Sequence, residues 1–155
     1  MLLTGTFVRA IDEKLRLAIP KRLRDLLGAR PDRLLFVTPG TDRSLAIYTE
    51  ETLGQLALRL AAASPAGPDV RAFNRLFYAQ AQPAELDSQG RIRIPPELAK
   101  LAGLGREAVL LGVQDHLELW DRNRWEEYLA GRQARYDQIA EAAFSAGGEK
   151  QAKPE

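Results

Sequence analysis

The chain has 155 residues, 45% of them apolar, which is enough for one domain or for two small halves sharing a core. It contains no cysteine, so disulfides and thiolate metal sites are excluded and a cytoplasmic setting is expected. The net charge is only +1 and the pI about 8.0, far from the strongly basic balance of many nucleic-acid binders; no apolar run is long enough to span a bilayer, and MLLTGTF lacks the pattern of a signal peptide.

In chain order, an alternating apolar stretch ends at Asp12 and a tight turn, Glu13-Lys14-Leu15, follows. Period-two apolar residues predict a short strand over 16–19, which Pro20 ends. Pro20 also suits the start of a helix of about two turns, because its missing N–H would be an orphan there. Leu23, Leu26 and Leu27 mark the buried side of that helix, and Gly28 sits where a left-handed C-cap belongs. Strands are predicted over 34–38 and 44–48, then a helix over 50–63 with Thr49 as N-cap. Ser64-Pro-Ala-Gly-Pro68 breaks that helix, and another is predicted over 69–79.

The pattern then starts again. Ser88-Gln89-Gly90 is the second turn, 91–94 the second short strand, and Pro95 leads a second two-turn helix. Strands over 108–113 and 117–120 follow, then a last helix over 122–144 with Asp121 as N-cap. Trp125, Leu129, Tyr136, Ile139 and Ala143 would share one face of it, a stripe that normally means packing or a subunit contact. Residues 145–155 carry no apolar anchor and are expected to form a disordered tail.

The two copies align residue by residue. At a spacing of 75, Ile11 matches Leu86, Asp12 matches Asp87, Arg16 matches Arg91, Ile19 matches Ile94, Pro20 matches Pro95, Leu23 matches Leu98 and Gly28 matches Gly103. The spacing falls to 72 for Leu45 and Leu117, Ile47 and Leu119, and Tyr48 and Trp120, so copy one has three extra residues around 30–42. Ordered agreement at so many positions marks a tandem duplication.

Catalytic readings find little support. His116 is the single histidine, and in the turn between two predicted strands it is expected to face solvent. No cluster has the ligand spacing of a zinc site, and neither a Gly-x-Ser-x-Gly elbow nor a glycine-rich phosphate loop occurs. Two pseudo-symmetric aspartates raise the idea of a shared-proton dyad, but each has an arginine four residues on that would keep it ionised. No enzyme, metal or cofactor is expected.

A binding role uses the same residues better. Between Arg9 and Arg24 six cations stand against two anions, a local excess hidden in the near-neutral total. The turn brings Asp12 near Arg16, and Asp87 near Arg91, so each carboxylate can orient a guanidinium fork suited to phosphate or guanine. Lys14, Lys21 and Arg22 add charge to copy one, and Arg93 adds it to copy two. As simple staples these pairs would be worth only about 0–1 kcal/mol each and would not require arginine in both copies.

Leu15 stands out against Gly90. A leucine with φ above zero costs roughly 1–2 kcal/mol, so the first turn is expected to take a different geometry from the second.

At these residues the chain closely resembles the MraZ family, through Asp12-Glu-Lys-Leu-Arg16, Asp87-Ser-Gln-Gly-Arg91, the strand-Pro-helix text after each, and LELWD at 117–121. The family's first turn usually reads Asp-Ser-Lys-Gly-Arg, from which Leu15 departs. The resemblance implies an α+β fold in which two tandem AbrB-like repeats form a pseudo-symmetric, swapped-hairpin, double-psi-like β-barrel with peripheral helices. The repeats would span 5–50 and 81–124, with a helical connector over 51–80 and a C-terminal helix over 125–144. It further implies a cytoplasmic, nucleoid-associated transcription factor with Arg16 and Arg91 on DNA and Asp12 and Asp87 orienting them. The partner would be double-stranded DNA, at direct repeats in the promoter of the division and cell-wall gene cluster, bound by a ring-shaped homo-oligomer. Head-to-tail subunits present identical turns in one direction, which suits direct repeats about one helical turn apart. The runner-up is an AbrB-like antitoxin-type module that binds a protein toxin as well as DNA, although its usual form has one barrel half and a disordered arm. A purely structural oligomer without nucleic acid is the third reading.

Overall fold

Short alternating segments and capped short helices dominate the chain, and the computed structural model shows how they assemble. It describes residues 1–62 and 67–151, with side chains described as far as 147. The strands are β1 (Thr6–Ala10), β2 (Arg16–Ala18), β3 (Leu34–Pro39), β4 (Leu45–Thr49), β5 (Gln82–Glu85), β6 (Arg91–Arg93), β7 (Glu107–Val113) and β8 (His116–Asp121). The helices are α1 (Lys21–Leu27), α2 (Glu50–Ala62), α3 (Pro68–Gln80), α4 (Pro96–Leu101), α5 (Arg122–Gln133) and α6 (Tyr136–Gln151).

This is an α+β architecture with antiparallel pairing throughout. Six strands form one sheet in the order β1-β7-β8-β4-β3-β5, and β2 and β6 form a separate two-stranded ribbon. The copies exchange strands. The first strand of copy one, β1, pairs with β7 of copy two, and the first strand of copy two, β5, pairs with β3 of copy one. The ribbon joins one strand from each copy, and β4 and β8 join the copies at the sheet centre. Only β3–β4 and β7–β8 are hairpins within a copy.

The exchange follows from what one copy can bury alone. Leu17, Ile19 and Leu23 of copy one and Ile92, Ile94 and Leu98 of copy two lie in a single core cluster, each at most 2% exposed. A fully buried leucine contributes about 1.5–3 kcal/mol, so neither half has a core without the other.

The small helices close as their glycines predicted. Gly28 has φ 63°; its N–H donates to Asp25 O, and Ala29 N–H donates to Arg24 O. Gly103 has φ 61°, with matching bonds from Gly103 N–H to Lys100 O and from Leu104 N–H to Ala99 O. Both form the paired C-terminal bonds of a Schellman motif. Thr49 caps α2 reciprocally with Thr52: Thr52 N–H donates to Thr49 Oγ1 at 3.1 Å, and Thr49 N–H donates to Thr52 Oγ1 at 3.1 Å. Asp121 Oδ1 accepts the N–H of Gly105 at 3.1 Å.

Several expectations need correction. Leu15 has φ 61°, close to the 76° of Gly90, so the first turn copies the second despite its side chain. His116 is not a solvent-facing turn residue. Its side chain is 18% exposed, stacks on Tyr48 with ring centroids 4.9 Å apart, and has Nδ1 2.8 Å from Asp115 Oδ1. The last helix is two, broken by a turn at 134–135, so the stripe from Trp125 to Ala143 is not continuous. The segment beyond 144 is helical to Gln151; residues 152–155, and 63–66, which include Ser64 to Ala66 of the predicted Ser64–Pro68 break, lie outside the described residues.

The chain divides into two compact units, Met1–Arg122 and Asn123–Glu155. The first holds the eight strands of the described residues. In the second, Trp125 stacks on Tyr128 at 5.8 Å, and Arg132 lies over the Tyr128 ring at 4.2 Å. Among the described residues no helix is long and apolar enough to cross a membrane.

Candidate functional site

The Asp-x-x-x-Arg turns are the most closely matched feature of the two copies. In the first, Asp12 Oδ1 accepts the backbone N–H of Lys14 at 2.9 Å and of Arg16 at 2.8 Å, while Oδ2 accepts Arg16 Nε at 2.7 Å. In the second, Asp87 Oδ1 accepts the N–H of Gln89 at 2.9 Å and of Arg91 at 2.9 Å, while Oδ2 accepts Arg91 Nε at 2.8 Å. Aspartate does this because its short side chain reaches its own backbone two to four residues on. One carboxylate oxygen thus shapes the turn and the other aims the guanidinium.

The charge state follows from the same bonds. The backbone N–H of Arg16 holds the Asp12 carboxyl below its ordinary range; partial burial opposes this, and the Arg16 guanidinium adds to it. Asp87 is lowered in the same way by Arg91. Both carboxylates stay ionised at neutral pH, as an orienting role requires and a shared-proton dyad forbids.

The turns are tied to each other. Leu15 O accepts the N–H of Ile94 at 2.8 Å, and Gly90 O accepts the N–H of Ile19 at 2.9 Å. These bonds extend the ribbon, in which Arg16 faces Arg93, Leu17 faces Ile92 and Ala18 faces Arg91. Side chains alternate along a strand, so Leu17 and Ile92 go to the core and Arg16, Ala18, Arg91 and Arg93 share the other face.

Three of the six predicted contact cations therefore meet on one ribbon face. Arg16 and Arg91 are about one-third exposed, and each uses only Nε on its aspartate, so among the described residues their Nη groups have no side-chain partner. Arg93 is exposed and makes no ion pair among the described residues. Lys14 is exposed at the tip of the first turn. The other two stand on α1 and have local partners: Lys21 Nζ lies 3.0 Å from Asp25 Oδ2, and Arg22 donates to Thr4 Oγ1 at 2.7 Å and Thr4 O at 3.2 Å.

Arg24 belongs to the cation excess between Arg9 and Arg24 but is not among the six expected contact residues. Its Nε donates to Ile19 O at 3.0 Å, and its guanidinium lies against Gly90 of the other copy. The signal that could have found it is the mismatch between copies, since its counterpart at a spacing of 75 is Ala99.

No group of three or more histidine, aspartate or glutamate side chains among the described residues is arranged to hold a metal ion. A cleft of about 980 Å³ opens between α1, β3 and the start of α2, with Leu26, Leu34 and Thr52 among its walls. It contains none of the ribbon arginines.

Comparison with known proteins supplies the context for this geometry. The solution structure of PHS018 from Pyrococcus horikoshii is 12% identical with a TM-score of 0.33, over 77% of this chain and 89% of its own, a likeness too low to carry an argument. The family model for the MraZ protein, described as antitoxin-like, matches residues 77–146. A protein of Thermomicrobium roseum named transcriptional regulator MraZ is 42% identical over 121 residues, 78% of this chain and 82% of its own. Proteins of the same name from Nocardia farcinica and Corynebacterium urealyticum are 40% and 42% identical, over 90% and 91% of this chain and 95% and 96% of their own. With identity at this level across most of both chains, and both Asp-x-x-x-Arg turns built alike, the chain belongs to the MraZ family.

Proposed function

We propose that this chain is a sequence-specific, DNA-binding transcriptional regulator that uses the β2–β6 ribbon and its two turns to read promoter DNA. The observation that carries this reading is the shared face of Arg16, Arg91 and Arg93, two of them aimed by their own aspartates. A two-stranded ribbon fits the major groove, and arginine is the usual bidentate partner of guanine O6 and N7. A carboxylate on Nε fixes the plane of the guanidinium and leaves the Nη end to meet a base or a phosphate. The names of the relatives, transcriptional regulator MraZ, support the same reading.

The finer picture is that of the family resemblance. The two AbrB-like copies, over 5–50 and 81–124, would make a swapped-hairpin barrel, and the exchange of β1 and β5 between copies supports this. Several subunits would close into a ring, with the 51–80 connector outside the barrel. The targets would be direct repeats ahead of the division and cell-wall genes, on the nucleoid in the cytoplasm. A ring also accounts for the modest net charge of +1, because linked weak contacts gain from effective concentration. The antitoxin-type reading, favoured by the antitoxin-like description of the family model, would add a protein toxin as partner.

The test is a gel shift and footprint on the region upstream of the chain's own reading frame. Arg16→Ala and Arg91→Ala are expected to weaken the shift and flatten its salt dependence. Folded variants that bind like wild type would show that the ribbon is not the site. Protection of direct repeats supports the ring, and protection of a palindrome opposes it.

A further inference from the structure

Arg24 is a half-buried cation that the paired turns do not use. It stands on α1 in copy one, yet its guanidinium lies flat against the turn of copy two. A methyl group at Gly90 would stand 2.7 Å from Arg24 Cζ and 2.9 Å from both Nε and Nη1. Its Nε is held by Ile19 O at 3.0 Å. Among the described residues its Nη groups make no side-chain bond and it joins no ion pair. A cation held partly out of water with no counter-charge is costly, and a bound anion would remove the cost.

The comparison between copies says what the anion would be. Turn one carries Lys14 at its tip, whereas turn two reads Ser88-Gln89-Gly90 and has no cation of its own. Position 24 is Ala99 in copy two, small and buried. In turn one the space beside position 15 is filled by the Leu15 side chain, which packs on the core cluster that contains Ala99. In turn two Gly90 leaves that space empty, and Arg24 occupies it. Each turn thus has one cation besides its motif arginine, Lys14 from its own loop and Arg24 from the other copy's helix.

We infer that Arg24 is a phosphate-binding residue of the second turn, supplying there the charge that Lys14 supplies at the first. The inference rests on the DNA-binding reading. The ligand is the sugar-phosphate backbone of duplex DNA, so the contact positions the protein without selecting bases. It also makes the doubled site one unit, because copy one completes the turn of copy two.

The test measures binding of two labelled duplexes of equal length, one from the chain's own upstream region and one of random sequence, from about 50 to 200 mM salt. Arg24→Ala is expected to weaken both duplexes alike and to reduce the slope of log K against log salt by about 1. Arg24→Lys keeps the slope, because charge is what matters. Arg24→Gln, which retains an N–H for Ile19 O, behaves like Arg24→Ala; were Arg24 merely a structural brace, glutamine would restore binding. Thermal melting checks that each variant folds. Should Arg24 variants unfold, Gly90→Ala, which displaces the guanidinium, is expected to lower the slope in its place. An unchanged slope in Arg24→Ala, or in Gly90→Ala where that stands in, overturns the inference. If Arg16→Ala and Arg91→Ala still lose binding in that case, the DNA-binding reading stands; if they bind like wild type, both fail.

Discussion

Arg16 stands directly across the β2–β6 ladder from Arg93, so two guanidinium groups share one face of a three-residue ribbon. Like charges directly opposite destabilise an antiparallel pair by about 0.2–1 kcal/mol. Asp12 relieves this for Arg16, whereas Arg93 has no ion-pair partner among the described residues. On the proposed DNA-binding reading, a bound polyanion would offset this repulsion. Arg93→Thr, with a β-favouring side chain, is expected to raise the unfolding free energy by about 0.5 kcal/mol while weakening duplex binding. Urea denaturation and anisotropy on one sample check both halves. A variant that loses stability and keeps its affinity would mean the opposite.

The two turns hold the same backbone with different side chains, and this separates strain from packing. Leu15 at φ 61° costs roughly 1–2 kcal/mol, offset by its packing on the shared core. Leu15→Gly removes both and is expected to be neutral within about 1 kcal/mol. Leu15→Ala keeps the strain, loses the packing, and is expected to cost about 1 kcal/mol or more. Equilibrium denaturation of the pair decides; glycine behaving no better than alanine would show that φ above zero carries no strain at this turn.

His116 offers a titration that needs no assignment, because the chain has a single histidine. Burial works to lower its pKa, yet the carboxylates of Glu118 and Asp115 beside the ring raise it further, so the net shift is upward from 6.5. Nε2 lies 3.8 Å from Glu118 Oε2, Asp115 Oδ2 lies 3.6 Å from Arg59 Nη2 on α2, and the neighbouring Tyr48 hydroxyl is pushed up to about 12, chiefly by burial. A raised histidine pKa contributes stability that is fully present below about 6.5 and is lost as pH rises through the folded value. The His116 contribution to the melting temperature is therefore expected to fall as pH rises above about 6.5, and His116→Gln is expected to remove that fall. NMR titration of the imidazole checks the direction: a midpoint below 6.5 would reverse the sign.

Much of the site was legible in the residues, for a reason that its parts share. Asp12 and Asp87 bond to backbone two and four residues on, and Gly28 and Gly103 close helices within one turn. Such features depend on nearby sterics and hydrogen bonds, which any short window contains. Leu15 shows the limit of that logic. Local cost argued against φ above zero, and the bond from Ile94 N–H to Leu15 O, together with core packing, overrode it. The C-terminal helices show another limit, since neither the break at 134–135 nor the continuation to Gln151 is marked by a proline or a new apolar stripe.

Taken alone, the order of residues determined that this protein is built twice, that each half turns on an aspartate bonded to its own arginine, and that the small helices stop at glycine. The reason is that duplication and local hydrogen bonding are written along the chain. Only the tertiary structure decided that the halves exchange strands, that Arg16 meets Arg93, that Arg24 reaches the other copy's turn, and that His116 is half-buried against Tyr48. Those contacts join residues far apart in sequence, and they exist because neither half can bury its leucines and isoleucines without the other.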